Sequence, residues 1–173
     1  IWDGKLLLEG FNPYAFSPDD WMATGGPPFS EAGVLYDGMG ALSAMHYSNY
    51  PPVNQYLFAA ATYLGGKTVL GSVIAMRGII ILADLGILYF GGRILRQINR
   101  APNTIYWYYL NPLVIIELTG NLHFEGVMLF FFVVGMYLLL TGKWLLAGIP
   151  YAPMNVICFG YEQEKIARDL DGF

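Results

Sequence analysis

The sequence predicts an all-α membrane protein with several transmembrane helices and a large exoplasmic loop that carries short interfacial helices. Hydrophobic residues make up 55% of the 173-residue chain and charged residues only 13%, about half the share usual in soluble domains. The mean hydropathy is +0.45. So few charges cannot cover the apolar surface of a soluble protein of this size. We therefore expect lipid to surround most of the chain.

Composition also excludes several classes of protein. The formal net charge of −4 argues against a nucleic-acid partner, which usually requires a basic patch. The single cysteine, Cys158, cannot form an intrachain disulfide. No Ser-His-Asp arrangement, zinc-finger spacing, phosphate loop or dinucleotide-binding motif occurs, which disfavours the chemistries of soluble enzymes. The chain starts with IWDGKLLLEG, without an initiator Met or a signal peptide, so we expect it to be a piece of a longer protein.

Residues 1–52 are predicted to form the exoplasmic loop. The stretch FNPYAFSPDDWMATGGPPFSEAG, residues 11–33, is rich in Pro, Gly, Ser and Asp, which favour turns and extended segments over a helix. No apolar run in this region is long enough to cross a bilayer. Its aromatic residues suffice for a small hydrophobic core, which argues against disorder.

Residues 53–66 are predicted to form an interfacial helix. Pro51 and Pro52 suit the start of a helix, and the Gly65-Gly66 pair suits its end. About a dozen residues lie between them, too few to span a membrane. A helix that lies along the interface fits this length.

Residues 67–160 are predicted to form the transmembrane helical region. The first spanning helix is TVLGSVIAMRGIIILADLGILYFGGRIL, residues 68–95, which would extend over about 42 Å. The second, residues 103–120, is interrupted by Asn111-Pro112. The third covers residues 126–141, and residues 144–160 form a fourth. The polar tail, 161–173, fits poorly after an apolar segment, and we assign it no function.

The distribution of charges predicts the orientation. Arg93, Arg96, Arg100 and Lys143 fall on one side if the helices alternate, and the positive-inside rule makes that side cytoplasmic. Residues 1–67 and the corner formed by residues 121–125 then share the exoplasmic side. The acidic residues of the outer segment outnumber its lysines; they are Asp3, Glu9, Asp19, Asp20, Glu31 and Asp37, against Lys5 and Lys67.

Polar side chains next to the third helix are candidates for chemistry. Asn121, His123 and Glu125 precede an apolar run, where a carboxylate and an imidazole cost free energy unless they face water, a partner or a ligand. One alternative is a helix cap, with Asn121 as the N-cap and Glu125 near the positive end of the helix dipole, but a cap leaves His123 without a role. A metal site is a weaker alternative, because H-x-E supplies too few ligands. With Glu117, the cluster could line a cavity suited to acid–base chemistry.

Arg77 and Asp84 lie well inside the first predicted span. Seven residues apart, they share nearly one face of a helix but are too distant for a direct ion pair. An arginine that faces a cavity could hold a lipid-linked phosphate through paired hydrogen bonds. The alternative is a buried structural network that joins helices.

Three segments resemble a known family. IWDGKLLLEGFNPYAFSP, YPPVNQYLFA and NPLVIIELTGNLHFEGVML resemble, in order and spacing, segments of bacterial GT-C glycosyltransferases, in particular polyprenol-phosphate-mannose-dependent mannosyltransferases. The GPI mannosyltransferases are related. No single segment is diagnostic, but the ordered set is more specific, and the resemblance covers roughly residues 1–148.

The resemblance implies an enzyme that transfers a hexose, often mannose, with inversion from a polyprenyl phosphate carrier to a glycan or lipid acceptor. It implies a location in the bacterial cytoplasmic membrane with the active site facing outward. An acidic residue of the first outer loop would act as base. The implied catalytic residues are Asp3, His123 and Glu125. The resemblance implies Tyr50, Gln55 and Asn121 as substrate-binding residues. The charge that develops on a departing phosphate adds Arg77 or Lys5 as its cationic partner, and Glu117 is expected to line the same cavity.

The resemblance implies no cofactor, because the lipid-linked sugar is the donor substrate, and it leaves a divalent metal open. Besides the donor and the acceptor, the expected partners are membrane lipids. A rival hypothesis is a transporter or channel subunit whose Arg77, Asp84, Glu117 and His123 line a substrate or proton path. A third is a non-catalytic assembly subunit, in which the same polar side chains would pair fully with one another.

Overall fold

A computed structural model describes residues 1–151, and every regular element in that range is a helix. The predicted all-α class is confirmed for this part of the chain. The predicted polar tail, 161–173, and the last residues of the predicted fourth helix lie outside the described residues. Contacts divide the described chain into two units, Ile1–Met76 and residues 77–151, and each is considered by itself.

The first unit contains four helices and the start of a fifth. The four are α1 (Trp2–Leu8), α2 (Pro18–Ala23), α3 (Ala32–Met45) and α4 (Pro52–Leu64). Helix α1 packs directly on α4, and Leu6 and Ala61 are fully buried. Gly4 permits the close approach, because a Cβ atom placed there would lie only 2.6 Å from the carbonyl oxygen of Phe58. This helix pair is the core of the unit.

Helix α2 lies within a stretch that the sequence predicts as turns and extended segments, and that part of the prediction is wrong. Pro18 occupies the first turn, where its missing N–H costs nothing. Ser17 and Asp20 form a capping box, in which the Ser17 side chain accepts from the Asp20 amide and the Asp20 carboxylate accepts from the Ser17 amide. These paired caps stabilise a helix of only six residues.

The segment predicted as an interfacial helix is helical, and its position along a membrane interface stays a prediction. Helix α4 starts at Pro52 after Pro51 and ends at Leu64 with Gly65 as its C-cap. The turn that follows brings the backbones of Gly65 and Gly71 into contact, which leaves no space for a side chain at either position.

Helix α5, Val69–Gln97, lies where the first span is predicted and has the length and composition of a candidate membrane span. Its 29 residues extend over about 44 Å, enough to cross a bilayer. Its most apolar window has a mean hydropathy of 2.0, and only 22% of that window is buried within the protein. The core helix of a soluble protein would be mostly buried, so these exposed side chains are typical of a helix that faces lipid. Among them are Leu70, Ile74, Ile81, Leu82 and Leu85.

The second predicted span, 103–120, is not a continuous helix. It consists of a 3₁₀ turn (Pro102–Ile105), α6 (Tyr106–Tyr109), α7 (Pro112–Val114) and a π-helix (Ile115–Gly120). The break falls at Asn111-Pro112, as predicted. There the Asn111 side chain accepts a hydrogen bond from the amide of Leu113 at 3.0 Å, and proline has no N–H to continue the preceding helix.

Helix α8, Glu125–Leu140, corresponds to the third predicted span. It follows the Pro112–Gly120 segment at an angle of 113°. A turn at Gly142 and a helical stretch over residues 144–151 come next. Within residues 1–151, one helix, α5, has the length and composition to cross a membrane. The bent pair adds a second if it counts as a single span.

Helices α5 and α8 run parallel in the second unit. Gly126, near the start of α8, lies beside Asp84 in the middle of α5. Further along both helices Phe130 packs against Gly86, and near their ends Arg93 contacts Tyr137. The arginines that follow Gly92 and the turn that holds Lys143 are therefore at the same end of the helix pair. The predicted orientation depends on this arrangement, and which end faces the cytoplasm stays a prediction.

Candidate active site

The first unit brings Asp3 together with Ser48 and Gln55. Asp3 lies in the first turn of α1, Gln55 on the buried face of α4, and Ser48 in the connection between α3 and α4. The Oδ2 atom of Asp3 accepts hydrogen bonds from Ser48 Oγ at 2.5 Å and from Gln55 Nε2 at 2.9 Å. Gln55 Nε2 also donates to Ser48 Oγ at 2.7 Å. Two of the predicted site residues, Asp3 and Gln55, are thus in direct contact.

The geometry of this Asp3 cluster fixes one side of the carboxylate. Gln55 is only 2% exposed, and both of its N–H groups are used within the cluster. Two donors therefore hold Oδ2, whereas Oδ1 accepts no hydrogen bond from any described residue. A carboxylate held in this way presents one oxygen that can take a proton from a bound hydroxyl.

Tyr50 borders the same cluster. Its carbonyl oxygen accepts a hydrogen bond from the Tyr14 hydroxyl at 2.6 Å, and its ring packs edge-on against Phe58 with centroids 5.1 Å apart. Partial burial raises the pKa of Tyr14, and the nearby charge of Asp3 acts in the same direction. Half of Tyr50 is exposed, so its ring is accessible at the edge of the cluster.

Lys5 is buried, and its ammonium group is bonded within the first unit. It is only 3% exposed, and its ammonium group donates to the carbonyl of Ser30 at 2.9 Å and to Glu31 at 3.1 Å. The ring of Phe29 lies 5.5 Å from Nζ. The Lys5 ammonium and the amide of Val69 hold the pKa of Glu31 below its usual range. Lys5 does line a cleft of about 140 Å³, but its charge is already neutralised by Glu31.

The second unit gathers the predicted polar corner around His123. The imidazole Nδ1 lies 3.3 Å from a carboxylate oxygen of Glu125, and Nε2 lies 4.0 Å from Glu117. Asn121 Nδ2 donates to Glu117 at 3.3 Å. About half of the His123, Glu117 and Glu125 side chains is exposed. A histidine between two accessible carboxylates can accept or deliver a proton at this surface.

Local backbone explains why these side chains meet. Glu117 lies on the π-helix, a rare form that is frequently found at functional sites. Glu125 lies in the first turn of α8. The alternative in which Asn121 caps this helix is wrong, because α8 begins after Phe124. Residues 121–123 instead form the bend, and Asn121 bonds back to Glu117.

Arg77 and Asp84 both contact the end of the π-helix. Arg77 Nη2 donates to the carbonyl of Gly120 at 3.4 Å, and Asp84 accepts from Thr119 Oγ1 at 3.5 Å. Arg77 and Asp84 thus bind two neighbouring residues, Gly120 and Thr119, at the end of the π-helix. The Arg77 side chain is exposed, which makes it the cation next to the His123 corner that is accessible to an anionic ligand.

The predicted site residues therefore form two groups, one in each unit. Within residues 1–151, no set of three or more His, Cys, Asp and Glu side chains is placed to hold a metal ion. Sequence reasoning missed Ser48 and Thr119. Ser48 lies 45 residues from Asp3 in a connecting segment, and nothing in the local sequence distinguishes it from other loop serines.

The chain is similar to a curated mannopyranosyltransferase. A curated relative, alpha-(1->6)-mannopyranosyltransferase B of Corynebacterium glutamicum, is 29% identical over 143 residues. The match covers 80% of this chain and 22% of the relative, so the chain spans about a fifth of the relative's length. No solved structure matches.

A family model described as alpha-(1->6)-mannopyranosyltransferase, N-terminal domain, matches residues 1–156. This range includes both groups of site residues and all the described helices. The predicted resemblance to membrane mannosyltransferases is confirmed, and the chain belongs to the alpha-(1->6)-mannopyranosyltransferase family.

Proposed function

We propose that this chain is part of an integral membrane enzyme that transfers mannose from a polyprenyl phosphate carrier to an exoplasmic glycan or lipid acceptor. The family supports the type of reaction, and the exposed apolar surface of α5 supports a membrane location. The proposed location is the bacterial cytoplasmic membrane, with the reaction on its outer side. The transporter hypothesis has no comparable support, because the family is one of transferases.

The observation that carries the proposal is the Asp3 cluster. Transfer from a sugar phosphate needs a group that takes the proton of the acceptor hydroxyl, because the phosphate is already a good leaving group. Asp3 has one oxygen held by Ser48 and Gln55, and its other oxygen accepts no bond from a described residue. A base with a fixed orientation is what such a proton transfer requires.

The proposed reaction is a single displacement. Oδ1 of Asp3 takes the proton of the acceptor hydroxyl while the hydroxyl oxygen forms a bond to the anomeric carbon. The bond from that carbon to the phosphate oxygen breaks, and its electron pair stays on the phosphate. Attack from the side opposite the phosphate inverts the anomeric configuration.

The leaving phosphate needs a cation to offset its developing charge. Lys5 is unsuited, since its ammonium group is buried and paired with Glu31. Arg77 is exposed, and its guanidinium can donate two parallel hydrogen bonds to phosphate oxygens. Within the second unit, we therefore assign phosphate binding to Arg77 and proton transfer to His123 with Glu117 and Glu125.

The experiment measures transfer of radiolabelled mannose from defined polyprenyl phosphate donors, with the complete protein in membranes. Asp3→Asn keeps the shape of the side chain but removes the base, and we expect transfer to fall by about 10²-fold or more. Asp37→Asn, at an exposed position of α3, is the control with the same change of charge. Wild-type transfer by the Asp3 variant would refute the role of base.

Ser48→Ala and His123→Ala are further arms of the experiment. Loss of the Ser48 donor leaves the Gln55 bond in place, so its effect should be smaller than that of Asp3→Asn. His123→Ala should reduce transfer while the amount of folded protein in the membrane stays constant. An equal loss of folded protein would indicate a structural role for His123 instead.

A further inference from the structure

Among the described residues of the second unit, the end opposite to His123 carries positive charge and no carboxylate. Arg93, Arg96 and Arg100 follow one another at the end of α5, and Lys143 follows the end of α8. The sequence contains no Asp or Glu in residues 85–116 or 126–151. Lys5 and Lys67, in contrast, each pair with a glutamate. Within residues 77–151, these four cations therefore have no acidic partner from the elements that surround them.

Arg93 is held in position at this end. Its guanidinium stacks over the ring of Tyr89, with the carbon 4.5 Å from the centroid, and Nη1 donates to the hydroxyl of Tyr137 at 3.2 Å. These contacts use one N–H group and one face of a side chain that is otherwise exposed. Because its orientation is already fixed, Arg93 loses little entropy when its remaining N–H groups bind a ligand.

Exposed aromatic rings lie next to the cations in the sequence. Trp107 is 85% exposed and Trp144 is 67% exposed, and Tyr106 is also exposed. Tryptophan and tyrosine favour the depth of the lipid headgroups, where one part of the ring contacts apolar chains and another contacts water. The 29 residues of α5 extend over about 44 Å, which exceeds a hydrocarbon thickness of about 30 Å. The last turn of the helix is therefore placed among the headgroups.

We propose that Arg93, Arg96, Arg100 and Lys143 form a binding site for the phosphate group of anionic phospholipids. The leaflet is the one at this end of the helices, the cytoplasmic leaflet in the topology proposed above. Cations without acidic partners favour a lipid of net negative charge over a zwitterionic one. The flanking apolar and aromatic side chains favour a lipid over free phosphate, since they would contact its glycerol and acyl chains.

The test uses the purified complete protein in detergent and counts bound lipids by native mass spectrometry. Phosphatidylglycerol and phosphatidylcholine with the same acyl chains are titrated separately. The wild type should bind phosphatidylglycerol more tightly, and added salt should reduce the difference. Each cation near an anionic surface strengthens binding roughly fivefold, so Arg93→Ala/Arg96→Ala/Arg100→Ala should bind phosphatidylglycerol roughly 10²-fold more weakly.

Three further variants control for the charge at these positions, for the place of the cation in the chain and for folding. The matched Lys triple variant at the same three positions keeps the charge and should retain most of the preference. Lys67→Ala removes a cation in the first unit and should bind as the wild type does. If the Ala triple variant does not fold, Arg100→Ala alone, beyond the end of α5, should show a loss of roughly fivefold.

Equal binding of the two lipids by the wild type, or unchanged phosphatidylglycerol affinity in the Ala variants, would overturn the proposal. Displacement of the lipid by inorganic phosphate at equal concentrations would show a site for free anions and would also overturn it. The readout is lipid binding, so it does not depend on whether the protein transfers mannose.

Discussion

Gly4→Ala tests the link between the packing of α1 and the orientation of Asp3. Gly4 is the residue after Asp3 and lies at the crossing of α1 and α4. A Cβ atom there would lie 2.6 Å from the Phe58 carbonyl oxygen and 2.8 Å from Thr62 Oγ1, whereas ordinary contacts begin at 3.4 Å. The Phe58 atom belongs to the backbone and cannot rotate away, so α1 must move from α4 by about 0.8 Å.

This displacement predicts two effects of different size. Overpacking costs about 1–3 kcal/mol, and the gain of about 1 kcal/mol in helix propensity offsets part of it. Stability should therefore fall by up to about 2 kcal/mol, and by about 1–3 kcal/mol relative to a glycine-to-alanine change that meets no neighbour. The hydrogen bond from Gln55 to Asp3, 2.9 Å long, would stretch beyond the usual limit of about 3.2 Å. A misplacement of this order can cost about 10²-fold in rate.

The assays are thermal unfolding of the complete protein in detergent, followed by tryptophan fluorescence, and mannose transfer in membranes at saturating donor. Gly38→Ala in α3 is the matched control, because a Cβ atom at Gly38 meets nothing within 4 Å. It should raise stability by about 0.5–1 kcal/mol and leave transfer unchanged. If Gly4→Ala is as stable as the control, α1 does not pack against α4 as closely as the structure shows. If it loses stability but transfers mannose at the wild-type rate, α1 packing does not position Asp3.

Three further predictions follow from other parts of the structure. Thr62→Val should raise the unfolding midpoint, because it replaces a buried hydroxyl without a hydrogen-bond partner with a methyl group and removes a cost of about 1–3 kcal/mol; a lower midpoint would indicate a bond to that hydroxyl. The pKa of Glu31 is depressed below 4.5 by Lys5, so its contribution to stability is complete above pH 4.5 and is lost as the pH falls through the folded-state value. Glu31→Gln should therefore weaken the pH dependence of unfolding on the acid side, and an unchanged profile would contradict this. In a background with Cys158→Ser, a membrane-impermeant thiol reagent should label a cysteine at position 37 in intact cells and one at position 97 only after permeabilisation; the reverse pattern would refute the proposed orientation.

Helices with strong local signals were predictable from the sequence. Pro52 and Gly65 mark the ends of α4, and both functions are local, since proline suits a first helical turn and glycine suits a C-cap. The apolar run of α5 is long enough that its class does not depend on the rest of the chain. Helix α2 was missed because Pro, Ser and Asp were interpreted as turn formers, although the same residues in the order Ser-Pro-Asp-Asp form a helix start.

The candidate site was only partly predictable because its contacts are not local. Glu117 and His123 are six residues apart and share a corner, which the sequence suggested. The contact of Asp3 with Gln55 spans 52 residues and depends on the crossing of α1 and α4. The pairing of Lys5 with Glu31 spans 26 residues and depends on how the segment between α2 and α3 packs on α1, so it could not be inferred from a nearby acidic residue. Local sequence patterns predict where helices end and which of their faces are apolar, whereas tertiary packing determines which faces contact each other.

The broken return between α5 and α8 has a consequence for what surrounds it. Because these helices run parallel, residues 101–124 must come back along them, and this return is interrupted at Asn111-Pro112 and again at the bend before α8. Amides and carbonyls at such interruptions lack helical partners, and hydrocarbon offers them none. At membrane depth, acyl chains must therefore be kept from this path by other polypeptide or by a water-filled vestibule. A water-filled vestibule there would let the polar sugar phosphate of the proposed lipid-linked donor reach His123 without entering hydrocarbon.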